Sequence, residues 1–123
     1  MGLPFRKYAH LYRMETRDPD ILADALQRMG GLPVPERIDA EAIMERLAQE
    51  ADRMIREDFA RLVAILYRID IDESELKRRL AERTSERAGR IIAEMVVERL
   101  VEKKRSREAH RRPSEGIPDD ERW

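Results

Sequence analysis

Residues 39–72 read DAEAIMERLAQEADRMIREDFARLVAILYRIDID, and the fold turns on how their apolar positions are spaced. Ile43, Leu47, Ala51, Met54/Ile55, Phe59, Leu62, Leu66 and Ile69 recur every three or four residues. That spacing is one face of an α-helix. Asp39 is placed to cap it, and the next turn signal is Asp70. The pattern predicts one amphipathic helix of about 30 residues, roughly 45 Å long at 1.5 Å per residue. Its last third, Phe59 to Ile69, is apolar nearly all round and is predicted to be the most buried part.

Downstream, Asp72 with Glu75 three residues on forms a capping-box pattern that opens a short helix with Leu76 and Leu80 inward. Thr84-Ser85 is a second break, with Ser85 as the expected cap of a last helix. That helix carries Ala88, Ile91, Ile92, Met95, Val96, Leu100 and Val101, then turns basic. From Arg111 onward, Pro113, Gly116 and Pro118 among Asp119, Asp120 and Glu121 read as a disordered tail.

Upstream, Phe5, Tyr8, Leu11 and Tyr12 suit a short basic amphipathic helix. Asp18-Pro19 starts another helix, with Ile21, Leu22, Ala25, Leu26 and Met29 inward. Gly30-Gly31 stops it, and Leu32-Pro33-Val34-Pro35 continues as a stiff connector. The expected architecture is all-α: a helical hairpin or small bundle of two long helices joined by a short one, with short N-terminal helices on its side. The Phe59–Ile69 face is expected to pack on Ile91–Val101. The expected organisation is residues 1–38 for the N-terminal helices and connector, 39–110 for the core and 111–123 for the tail.

A chain of 123 residues holds one ordinary domain. Charged residues make up 41%, yet Lys plus Arg at 25 nearly cancels Asp plus Glu at 26, which argues against a bulk polyanion binder. With Cys 0, a disulfide scaffold, a thiolate zinc site and a Cys nucleophile are excluded. Aromatics at 5% argue against a β-rich domain. No uncharged apolar run approaches the roughly 20 residues of a spanning helix. Arg6 and Lys7 are not followed by the apolar region of a secretory signal, so a cytoplasmic chain is expected.

The stretch from Asp58 through Leu62-Val63-Ala64-Ile65-Leu66-Tyr67-Arg68-Ile69-Asp70 to Glu73, with Leu76, Leu80 and Ile91–Arg99, resembles a family of short bacterial helical proteins with an "LYRID" segment. The likeness spans about residues 55–107. It implies an all-helical fold in a bacterial cytoplasm and carries no activity.

Enzyme chemistry finds little support in these residues. The residues three before His10 and His110 are Lys7 and Arg107, so the Glu-x-x-His pattern of carboxylate metal bundles is missing. No catalytic residue, metal or cofactor is expected. Asp58, Asp70, Asp72 and Glu73 could bind a cation or basic partner at the helix reversal. The plain alternative is that Asp70 and Asp72 form the turn and cap through local hydrogen bonds, while Asp58 pairs with an arginine such as Arg61. Lys103, Lys104, Arg105, Arg107, Arg111 and Arg112 form a basic segment that could contact nucleic-acid phosphates or an acidic partner. The plain alternative is a helix end whose cations face its dipole. Trp123 could anchor the tail in a partner's pocket. The preferred reading is a small interaction or scaffold protein, a homodimer or a subunit of a larger assembly. Its working surface would be the spare stripe of Ile43, Leu47 and Met54 or the exposed side of Ile91–Val101. A nonspecific nucleic-acid-associated regulator using residues 103–112 is the alternative.

Overall fold

The computed structural model describes residues 15–111, with side chains as far as 110. Asp18 opens α1 (Pro19–Arg28), its carboxylate accepting the Asp20 N–H at 2.9 Å. Pro19 fills a first-turn position where no N–H is needed. Ile21, Leu22, Ala25, Leu26 and Met29 all face the core, and Gly30 and Gly31 at positive φ end the helix.

Asp39 caps α2 (Ala40–Glu57), accepting the Glu41 and Ala42 N–H groups. Here the expectation of one long helix fails. Asp58, at φ −155° and ψ 62°, leaves the helical region: its N–H still bonds Met54, while its side chain accepts the Arg61 N–H and starts α3 (Phe59–Ile69). A short carboxylate competes for nearby backbone donors, so Asp inside a helical run readily becomes a cap. Asp70 in the left-handed region then closes α3, with its own N–H and that of Ile71 returning to the Leu66 carbonyl.

Asp72 caps α4 (Glu73–Glu82) through the Ser74 and Glu75 N–H groups. Glu75 supplies only part of the expected capping box, since its carboxylate pairs with Arg78 and Arg79. The last helix, α5 (Ala88–Arg111), begins three residues beyond the expected Ser85 cap. Ile91 through Ala93, Met95 through Val97, Leu100 and Val101 are all buried, so α5 is covered on most sides. Helices α1, α2, α3 and α4 all touch it, making it the spine of an all-helical bundle. Among the described residues no strand occurs.

The principal partner of α5 is α2, not the Phe59–Ile69 segment. Small residues explain this. Ala48 and Ala51 on α2 and Ala93 on α5 are fully buried, and Gly89 brings the two backbones together. Ile43, Leu47 and Met54, expected as a spare stripe, are core residues. The same correction holds for Ile91–Val101. Helix α3 contributes Leu62, Ile65 and Ile69 to the core and turns Phe59 outward.

Candidate functional site

Helix α3 has the sequence FARLVAILYRI, in which Arg61 and Arg68 are the only charged residues. At 100° per residue, Leu62, Ile65 and Ile69 share one side, and Phe59, Val63 and Tyr67 share another. The bundle covers the first set. The second stays outside: Phe59 is 60% exposed, Val63 47% and Tyr67 84%. Ala60 and Ala64 are exposed beside them, and the exposed Arg61 and Arg68 border this apolar face along its Ala64 side. The expected burial of Phe59–Ile69 therefore holds for one side of the helix and fails for the other. An apolar run on both sides of a helix has two solutions, full burial or one covered face with one bare. The break at Asp58 uncouples α3 from the stripe of α2 and selects the second.

Beside this face lies a cleft of about 430 Å³. Gln27, Arg28, Gly30 and Gly31 at the end of α1 form one wall; Arg61, Ala64, Ile65 and Arg68 form the other. Arg28 is paired with Asp24 at 2.8 Å. Arg61 and Arg68 make no ion pair within 4 Å among the described residues. The Arg61 guanidinium lies over Gly30, where an added Cβ would come within 3.2 Å of Nη2 and 3.7 Å of a Glu50 oxygen. Glu50 is nearly buried and pairs with Arg53 at 2.6 Å. The Arg53 hydrogen bond holds its carboxyl below the ordinary glutamate range against the pull of burial, and the charges of Arg53, Arg46 and Arg61 add to this.

The basic segment is largely engaged within the molecule. Lys104 Nζ lies 2.6 Å from Asp18 Oδ2, Arg105 Nε donates to Glu15 at 3.1 Å, and Lys103 lies 3.9 Å from Asp70. The Lys104 hydrogen bond lowers the Asp18 carboxyl, and Asp18 in turn raises the Lys104 ammonium. These pairs tie α5 to the start of α1 and the end of α3. Arg107 is exposed, and His110 Nδ1 sits 2.9 Å from its own helix's Ser106 carbonyl. The Arg111 side chain, Arg112, Trp123, His10 and the expected N-terminal basic helix lie outside the described residues. The acids of the helix reversal do not converge: Asp58 and Asp72 cap helices, Asp70 ends one, and Glu73 pairs with Lys77 on the surface.

Sequence reasoning missed the outer face of α3. Its signal was present in the charge-poor run after Asp58, inside a chain that is otherwise 41% charged. No helix among the described residues is long and apolar enough to cross a membrane. The chain matches no protein-family model, no curated protein and no solved structure.

Proposed function

We propose that this chain is a small helical protein-interaction or scaffold protein whose working face is the outer side of α3. One observation carries the reading: Phe59, Val63 and Tyr67 stand exposed one turn apart on a helix with no acidic residue. Contiguous bare apolar surface on a small protein marks a place where another surface docks. Its occupant is a second copy, giving a homodimer, or another subunit of a larger assembly. A bacterial cytoplasmic setting belongs to this reading and rests on composition and the LYRID resemblance.

The nucleic-acid alternative draws less support, because Lys103, Lys104 and Arg105 already face carboxylates. Cations held in internal pairs release few counterions on meeting phosphate, so binding would show a shallow salt dependence.

A photo-crosslinking residue, p-benzoylphenylalanine, in place of Tyr67 tests the proposal in cells that make the protein. A discrete adduct at position 67, lost in the Val63→Asp background, is expected. The same residue at Lys77 on α4 serves as the control, since Lys77 is also exposed to solvent. An adduct mass of two chains identifies self-association. No adduct at position 67, or equal yields at 67 and 77, would overturn the proposal.

A further inference from the structure

The outer face of α3 is asymmetric in charge. On a helical wheel Arg61 and Arg68 lie about 20° apart and two turns, roughly 10.5 Å, from each other along the axis. Both border the Ala64 side of the bare face, where the cleft toward Gly30 and Gly31 opens. The opposite side leads through partly buried Leu66 into the core. The surface therefore consists of an apolar ridge with one cationic edge and a hollow alongside that edge.

This pattern restricts what can cover it. In an antiparallel pair of identical helices related by a two-fold axis, each edge faces its own copy. Arg61 and Arg68 of one chain would meet the same arginines of the other, and α3 offers no acid to separate them. The neighbouring carboxylate, Glu50, is already held by Arg53 and Arg46. An occupant that leaves Arg61 and Arg68 neutralised must bring its own negative charge next to its own apolar stripe.

We infer that α3 and the adjoining cleft seat an amphipathic helix of another protein that carries carboxylates along one edge of its apolar stripe. The stripe covers Phe59, Val63 and Tyr67, and the carboxylates enter the cleft toward Arg61 and Arg68. Guanidinium groups suit this role because their planar forks bind carboxylates with two parallel hydrogen bonds. This inference rests on the reading of α3 as the working face and adds the chemistry of the partner.

The probe is a designed, fluorescein-labelled amphipathic peptide with a leucine stripe and glutamates spaced seven apart on one edge. A companion peptide carries lysine at those edge positions. Fluorescence anisotropy with the full chain measures both. The glutamate peptide is expected to bind at least about tenfold more tightly than the lysine peptide. Arg68→Glu should abolish or invert that preference, and Arg61→Gln should reduce it. Arg61→Gln is used rather than a charge reversal because a second carboxylate there would face Glu50. Circular dichroism confirms that both variants remain folded. If both peptides bind equally and both lose binding in Val63→Asp, the acidic-edge inference fails while the α3 reading stands. If neither binds up to about 1 mM, the inference is overturned, and the crosslinking result decides the α3 reading separately.

Discussion

The Asp52 carboxylate in α2 accepts the backbone N–H of Gly89 in α5 at 2.9 Å, across 37 residues of sequence. Its other oxygen accepts from Arg87 at 2.7 Å, and Arg87 reaches on to Glu45. A distant helix thereby caps the start of α5 and places a negative charge at its positive end. A Cβ on Gly89 would lie 2.4 Å from the Ala48 carbonyl oxygen and 2.3 Å from Asp52 Oδ1. Gly89→Ala should therefore destabilise the fold by about 1–3 kcal/mol despite alanine's better helix propensity. Urea unfolding measures this, and an unchanged or raised midpoint would contradict the close approach of α2 and α5.

Helix α3 is covered on one side only, and substitution on its two sides should separate cleanly. Leu62→Ala removes a buried side chain and should cost about 2–5 kcal/mol. Phe59→Ser, Val63→Ser and Tyr67→Ser should each stay within about 1 kcal/mol of wild type, the range of surface changes and propensity. Thermal or urea unfolding of the four variants checks the orientation. A large loss at Phe59 would restore the inward placement that its spacing suggests.

Asp70 sits at φ 66°, a conformation in which side chains other than those of Asn and Asp are strained. Its contact with Lys103 is long, at 3.9 Å. Asp70→Gly is expected to be neutral or stabilising by up to about 1 kcal/mol, whereas Asp70→Val should destabilise by roughly 1–2 kcal/mol. Matched urea titrations read both.

Stability should respond to pH with two opposite signs. Hydrogen bonds from Lys104, Arg90, Arg53 and Arg79 hold Asp18, Glu41, Glu50 and Glu75 below their ordinary values. The folded state favours their ionised forms, so this stability is complete above the ordinary carboxylate range and falls as pH drops through the lowered values. Glu98 behaves in the opposite way. Burial raises it above its ordinary 4.5, outweighing the Arg79 pair at 2.9 Å. Its stabilising contribution is complete below that ordinary value and is lost as pH rises through the raised one. Urea midpoints should therefore rise slightly as pH is lowered just into the raised Glu98 range, then collapse on further acidification. Glu98→Gln should remove the rise and leave the acid collapse in place. A variant that kept the rise would assign it to another group.

Much of the local structure was legible in the residues. Asp18, Asp39 and Asp72 each cap the helix expected of them, and Gly30-Gly31 stops α1. Those features depend on hydrogen bonds spanning two to six residues, so the chain's own chemistry suffices. The inward positions of α1 followed from periodicity for the same reason; on α2 periodicity placed Ile43, Leu47 and Met54 on one face, and only the fold buried that face. Asp58 was the ambiguous residue: beside Phe59 it fits a helical stripe, and as a cap it ends one.

The tertiary structure decided the rest. Which side of an apolar helix is bare depends on what packs against the other side, and α3 meets the core through Leu62, Ile65 and Ile69. Lys104 and Arg105 read as an open basic patch until folding set Asp18 and Glu15 beside them. The requirement for Gly89 comes from a backbone that is 37 residues away along the chain and in contact across the bundle. Capping and periodicity are short-range and therefore written in sequence; burial, charge pairing and close approach arise only when distant segments meet.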